Sequence, residues 1–568
     1  MLCFLVFVAG QNVADIGDGR LVVGASVAAT GLAGAWALAE ELGWQPIGVD
    51  AGSRLIGSMG SASFLGAAMA LGLPMALGVA LDPSWSRRQR RVAMACAGLA
   101  GVALVGSGAR AAWGGVLVGA AVVAFVHRER IRAHARRAAA AAVLAVVVVV
   151  GLGVVTGVAG RVPQFFDHGG AGGNSRIAEW SVALGVLAHH PLTGVGPEGY
   201  RIALPDGLDA HYVETYGLSP LPDRAHDSLL DVAVTTGLLG AAAYAALLAV
   251  VAMVALRALR GGPPWMAGVA VGLIAYGAQE LALFPVATLE PAAWLLAGLL
   301  LAQFRQVAPA RGAAAHTSRP SRPGHGTARA GGDVQLTGRA GGEVQLPVPR
   351  LVAVVLAVAA VVAAVAGVRD VLADRAARAS TAALARQDDP AARRLAHQAA
   401  GLRPDQIEYW LAAEQADAAP DTPSALTRGL SDLEKALGVS PSDPVVRDER
   451  GRLLLERALR SGSARDLAEA RADNEQLVAA NPYDAEDQLR LGVADAQAGD
   501  ATGAQRAWLA ADRLAPRSAS AATDLAVLHA GQGRWAEAAA AARQALARDP
   551  GETQARGVLS ESKAHLGT

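Results

Sequence analysis

The residues best suited to chemistry gather in one stretch of this 568-residue chain, Ala159 to Ser228. It holds Arg161, Arg176, Arg201 and Arg224, histidines His168, His189, His190, His211 and His226, and eight carboxylates. Arginine presents a planar fork of donors that fits phosphate and carboxylate oxygens, and histidine changes charge near neutral pH, so the mixture suits anion stabilisation and proton transfer. Within it, NSRIAEWSVALGVLAHHPLTGVGPEGY from Asn174 reads as a capped helix and a Pro/Gly turn, with Arg176 and Trp180 four apart on one face. Gly194 and Gly196 shape that turn, and His189, His190 and His211 read as loop residues. The stretch RAHDSLLDVAVTTGLLGAAAYAALL from Arg224 then sets His226 immediately before a long apolar run. Two candidates lie outside this stretch: Arg110, in GSGARAAWGG, and Glu280, inside an apolar run.

These residues need a scaffold, and composition names its solvent. The chain is 52% hydrophobic and 18% charged with mean hydropathy +0.31, too apolar for a water-soluble protein of this length. A run of about 18 to 20 apolar residues crosses a bilayer as a helix. Eight candidates occupy residues 1–304: Leu21 to Leu38, Phe64 to Leu81, Val92 to Ser107, Ala111 to Val126, Ala138 to Val158, Leu229 to Leu256, Trp265 to Phe284 and Leu289 to Phe304, and a ninth runs from Leu351 to Val368. Many are rich in Ala and Gly, which suits close helix contact in lipid. The opening MLCFLVFVAG is too short to span and lacks a basic start and a cleavage site. It reads either as an interfacial segment or as the tail of a helix in a longer membrane domain.

Arginine sets the orientation, because basic loops stay cytoplasmic. Arg87, Arg88, Arg90 and Arg91, then Arg128, Arg130, Arg132, Arg136 and Arg137, then Arg257 and Arg260 fall on one side when spans alternate. The turn from Gly106 to Arg110, the segment 159–228 and everything after the ninth span then lie outside. Glu280 falls near the outer end of the seventh span, where an ionisable group is a functional candidate by default, set against snorkelling or pairing with an arginine. Residues 305–350, with a duplicated RAGGDVQL and RAGGEVQL at Arg329 and Arg339, read as a disordered cytoplasmic linker.

The charge balance of 50 basic against 50 acidic residues gives no whole-chain basic field, which argues against a nucleic-acid partner. Two cysteines, Cys3 and Cys96, both in apolar stretches, suggest neither a disulfide framework nor zinc chemistry, and no metal or cofactor is expected.

From about Asp370 the composition turns to Ala, Arg, Leu, Asp and Glu without a spanning run. Pro482, Pro516 and Pro550 are 34 apart, and Gly499 with Gly533 and Ala507 with Ala541 keep the same step, which matches the tetratricopeptide length. Pro404, Pro441 and Pro482 are less regular, so four or five helix pairs are expected. Such an array builds a groove that holds proteins or peptides, or else packs as a rigid cap. The expected fold is therefore all-α: a polytopic membrane domain of about nine spans over 1–304, a linker, a transmembrane helix at 351–368, and a soluble tetratricopeptide-type solenoid over 370–568.

The stretches from Asn174 and Arg224 resemble the bacterial O-antigen ligase and polymerase family, with its Arg and Trp helix, its HPL-G-G turn and its histidine before a helix containing GLLG. RLIGSMGSASFLGAAMALGLPMAL from Arg54 and the turn GSGARAAWGG are similar to two further family segments, so the resemblance runs from about Arg54 to Leu300. It departs from the family at Ala62-Ser63, Ala109 and Asp227. The resemblance implies transfer of a glycan from an undecaprenyl-diphosphate carrier to an acceptor hydroxyl on the outer face of the cytoplasmic membrane, without a metal. It implies Arg110 and Arg176 at the diphosphate and His226 as the base, with Trp180 and Arg224 as further candidates at the substrate; Glu280, which the family motif does not specify, is added for its position within an apolar run. Simpler roles stand beside these: an interfacial anchor for Arg110, an ion pair with Glu179 for Arg176, a helix cap for His226. The acceptor is a glycan, a lipid or a protein, and ligase and polymerase stay equally open. Two other readings compete, a non-catalytic scaffold that binds proteins through its repeats and a transporter of lipid-linked sugar.

Overall fold

The computed structural model describes residues 6–11, 19–44, 54–133, 136, 174–197, 199–216, 222, 224–302 and 348–567, and every secondary-structure element among them is helical. The chain divides into two units. One comprises Met1–Trp180, Pro191–Gly194 and Arg224–Val355; the other comprises Ser181–His190, Val195–Asp223 and Leu356–Thr568.

The first unit is built around helix Ala62–Leu81 (α2), which packs on Arg20–Glu41 (α1), Arg87–Gly106 (α3) and Pro264–Glu280 (α7). Helix Arg110–Val126 (α4) also lies on α7, and Ser228–Gly261 (α6) runs beside it. Small residues set these distances, as the composition predicts. A Cβ on Gly78 would fall 2.6 Å from the Pro264 carbonyl oxygen and 2.8 Å from the Gly268 Cα, so α2 and α7 meet backbone to backbone. Gly115 does the same for α4, where a Cβ would lie 2.2 Å from the Ala275 oxygen. The start of α3 is fixed by a capping box between Ser86 and Gln89. Arg90 donates from Nε to the Ala80 carbonyl at the end of α2, satisfying a terminal acceptor.

Among the described residues three helices are long and apolar enough to cross a membrane: α1, α2 and α6. Nine were expected, a count that the described residues do not confirm, and several of the expected spans form shorter or more polar helices. The apolar part of α3 begins only after Arg91, α4 and α7 have 17 residues each, and Glu290–Ala302 (α8) is shorter still. The expected span Ala138 to Val158 and most of the linker lie outside the described residues. The ninth lies in helix Val348–Ala385 (α9), whose side chains are described only from 367.

Helix Asn174–His189 (α5) contributes its first residues to this unit and its remainder to the second. In the second unit a Cβ on Gly185 would lie 2.8 Å from the Gly207 Cα, and Tyr200, Leu204 and Leu208 are buried. Arg201 is ion-paired with Asp443, a fully buried carboxylate that also accepts from the Val445 and Val446 amides and so caps helix Pro444–Ser461 (α13). The segment after α5 is thereby fastened to the array.

The array pairs α9 with Asp389–Leu402 (α10), Ile407–Ala418 (α11) with Pro423–Val439 (α12), α13 with Ala464–Ala480 (α14), Ala485–Gln497 (α15) with Ala501–Leu514 (α16), and Ser520–Gly531 (α17) with Trp535–Arg548 (α18); Thr553–Leu566 (α19) closes it. These are five pairs, within the expected range. The 34-residue glycines have a conformational cause: Gly499 and Gly533 end their helices with φ of +83° and +71°, a region that a Cβ disfavours. Gly492 makes room for an indole. A Cβ there would sit 2.4 Å from Nε1 of Trp508, which donates to the Leu489 carbonyl.

Candidate functional site

His226 occupies the loop that enters α6, in the left-handed region with φ +52°, where a non-glycine residue stores strain of about 1–3 kcal/mol. Four contacts fix it there. Its backbone carbonyl accepts from Nη1 of Arg176 at 3.4 Å. Its Nδ1 lies 3.1 Å from the Arg224 carbonyl and 3.3 Å from Oε2 of Glu179, within ion-pair distance though outside hydrogen-bond geometry for the carboxylate. Its ring packs edge-on against Phe284, with centroids 5.5 Å apart. With the carbonyl as acceptor, the proton is assigned to Nδ1, so that in the neutral ring Nε2 is the nitrogen with a lone pair. The helix itself is capped by Asp227, whose carboxylate accepts from the Leu230 amide. Capping therefore falls to the aspartate and not to the histidine side chain.

Arg176 does not pair with Glu179. Its Nη1 donates to the carbonyls of His226 and Ala282, the second at 3.0 Å, which ties α5 to the loops at the start of α6 and the end of α7. Trp180 lies one turn further along α5, with a buried Nε1 that has no partner among the described residues. Arg224 stands 3.6 Å from Asp231 and 6.0 Å from the Phe284 ring, and Asp231 also receives the Ala225 amide. Arg176, Glu179, Arg224 and His226 are thus one constellation.

The turn that carries Arg110 belongs to the same end of the bundle. Phe284 meets Phe64 on the first turn of α2 at 5.9 Å, and a Cβ on Gly66, two residues on, would strike the Ala109 side chain at 2.4 Å. Arg54 donates from Nε to the Ser107 carbonyl at 2.8 Å, and Leu55 pairs with Gly106. Burial, then the positive charge of Arg110, lowers the Arg54 pKa, so two guanidinium groups face the same turn. Arg110 itself is exposed on the first turn of α4.

The Pro/Gly turn has a partner that the sequence did not disclose. Gly237 breaks α6 with φ +71°, and the Leu238 amide donates to the Pro191 carbonyl at 2.8 Å. Gly194, at φ +67°, comes so close that a Cβ would lie 2.4 Å from the Val234 oxygen. The HPLTG turn and the GLLG kink therefore interlock, which explains why each needs its glycine.

Glu280 neither snorkels nor pairs with an arginine. It is buried beside Glu290, Tyr276 and Ser228. Glu290 accepts from Tyr276 OH at 3.0 Å and from Trp294 Nε1 at 2.6 Å, and the two acids line a cavity of about 50 Å³. Sequence reasoning missed Glu290, although the criterion that selected Glu280, an ionisable group in an apolar run, applies to it equally. It named Glu179 only as an ion-pair partner for Arg176, and it left out Arg54, the first residue of a quoted motif, as a candidate.

Fold and site together define an all-helical integral membrane protein with an appended tetratricopeptide-type array. Residues 95–245 match the family model described as O-antigen ligase, a stretch that includes Arg110, Arg176, Glu179, Trp180, Arg224 and His226. No curated protein matches the sequence. Among solved structures, the chain is similar to MamA 41-end from Desulfovibrio magneticus RS-1, at 19% identity over 32% of this chain and 97% of that one with a TM-score of 0.29. It is similar also to a thermophilic TPR protein of Thermus thermophilus, at 18% identity over 34% and 99% with a TM-score of 0.27. PilW, a type IV pilus biogenesis factor, matches at 17% identity over 34% and 91% with a TM-score of 0.29.

Proposed function

We propose that the protein transfers a glycan from a polyprenyl-diphosphate carrier to an acceptor hydroxyl at the outer face of the cytoplasmic membrane. The observation that carries this reading is the state of His226 within the matched domain: Nδ1 is engaged by the Arg224 carbonyl beside Glu179, which leaves Nε2 to accept a proton. As the acceptor oxygen attacks the anomeric carbon, Nε2 takes its proton, and the Glu179 carboxylate stabilises the imidazolium that forms. The carbon–oxygen bond to the carrier breaks, and the departing diphosphate gathers negative charge. Arg110, Arg176 and Arg224, with Arg54 added from the geometry, bind that charge with donors that stay protonated. The two bonds from Arg176 to main-chain carbonyls also give it a positioning role: it holds the backbone of the base. Trp180 flanks the substrate, and Glu280 with Glu290 supports the loops from the bundle interior.

The fastening of Arg201 to Asp443 supports placing the segment after α5 and the repeats on one side of the membrane, as arginine distribution predicts. In this reading the repeats hold a protein acceptor or partner.

The test is His226→Ala in cells, with protein level checked by immunoblot. Loss of a general base slows transfer by about two to four orders of magnitude, so the lipid-linked donor accumulates and finished glycan disappears. Normal glycan at normal protein level would overturn the mechanism and favour the repeat scaffold.

A further inference from the structure

Three consecutive helices of the repeat array each send one ligating side chain to a common point: His397 from α10, Asp417 from α11 and Asp432 from α12. His397 Nε2 is 2.7 Å from Oδ2 of Asp417 and 3.8 Å from Oδ2 of Asp432, and all three ligand atoms lie within 4.8 Å of one another. A tetrahedral zinc ion with nitrogen and oxygen ligands at about 2.0–2.1 Å sets those ligands about 3.4 Å apart, so small side-chain rotations close the set.

The second oxygen of each carboxylate is already committed. Lys435 donates to Oδ1 of Asp432 at 2.8 Å, and Arg428 donates from Nε to Oδ1 of Asp417 at 3.1 Å. Outer partners of this kind orient carboxylate ligands. Here they leave both Oδ2 atoms aimed inward. Oδ2 of Asp432 has no hydrogen-bond partner among the described residues although the residue is only 1% exposed, an unmet acceptor directed into the cluster. Side-chain exposure of 40% at His397 opens the remaining side to solvent, giving an entry path and room for a water as fourth ligand.

We propose that His397, Asp417 and Asp432 bind one divalent transition-metal ion of the zinc class, which staples the first helix pairs of the array. Borderline ions that bond well to imidazole suit the set; calcium needs six to eight oxygen ligands and magnesium a near-ideal octahedron, which this set does not supply. Lys435 and Arg428 offset the two carboxylates, so attraction by net negative charge is small and the nitrogen bond decides selectivity. The site is remote in sequence from the family-matched residues and independent of the transfer chemistry.

The experiment uses the full-length chain in detergent, stripped with a chelator, titrated with zinc sulfate against a chromophoric competitor and assayed for metal content after desalting. His397→Gln keeps a donor for Asp417 while removing the imidazole, and Asp432→Asn keeps the shape of its side chain; circular dichroism verifies the helical fold of both. Wild type is expected to retain about one zinc per chain, with affinity at least about tenfold weaker in each variant and no competition from excess magnesium. Wild type that holds no more zinc than both variants would overturn the site and leave an ion-pair cluster only.

Discussion

The membrane bundle and the repeat array are made of the same small residues but handle polar groups in opposite ways. In the bundle, Gly78 and Gly268 let two backbones touch, and Glu290 at its centre takes neutral partners, the Tyr276 hydroxyl and the Trp294 indole. In the array, alanine packs the helix pairs while carboxylates at the edges of the interfaces meet arginines across helices, as in Arg450 with Asp473 and Arg457 with Asp466. The difference follows from the solvent. Water stabilises a half-exposed guanidinium, whereas lipid offers nothing, so a polar group inside the bundle must be satisfied within it. Glycine differs likewise: it serves close approach between bundle helices, and in the array it serves helix ends, at Gly499 and Gly533, as well as the seat of Trp508.

The largest expected effect tests the backbone contact. Gly268→Val places carbon into a space where a Cβ already falls 2.6 Å from the Pro74 oxygen, so α2 and α7 separate and detergent extraction yields no monodisperse protein. Normal yield would show that the bundle yields as easily as the array. Next, Glu290→Leu leaves the Tyr276 hydroxyl and the Trp294 indole unpartnered, at about 1–3 kcal/mol each, seen as a lower unfolding temperature in detergent. Arg465→Ala, which breaks an exposed pair with Glu469 in the array, is expected to leave that temperature unchanged.

A smaller effect than those in the bundle is a pH dependence of the array. Burial first, then Glu449, pushes the Glu414 pKa up to about 7, against the pull of Arg452. The folded array therefore binds this proton more tightly than the unfolded chain does, and the associated stability is full below about pH 4 and lost as pH rises towards about 7. Unfolding temperature of the repeats should fall between about pH 5 and pH 8, and Glu414→Gln should flatten that slope. An unchanged slope would show that Arg452 fully compensates the buried charge.

Much of the site was legible because the motif residues lie in two short stretches. Arg176, Trp180, Arg224 and His226 are within one segment, and the structure gathers three of them around one loop. Glu179 carries no motif weight, yet it reaches His226 because helix spacing brings it to the face that meets the entry to α6. Arg54 escaped for a related reason, since its contacts are with Ser107 and Arg110, far away in sequence, whereas Glu290 met the criterion that selected Glu280 and was passed over. Among the described residues fewer helices meet the length than there are apolar runs, because runs preceded by arginine, or bounded by Pro263 and Leu281, look continuous in composition and stop in the backbone.

The sequence by itself determined the helical class, the apolar first half, the 34-residue step and the family motifs, since these depend on residue type and spacing along the chain. Tertiary structure alone decided that Arg176 grips main-chain carbonyls, that the Gly194 turn locks into the Gly237 kink, that Glu280 meets Glu290, and that His397, Asp417 and Asp432 converge. Each of those depends on which surfaces approach within a few ångströms, and side-chain hydrogen bonds and metal ligation have no reach beyond that.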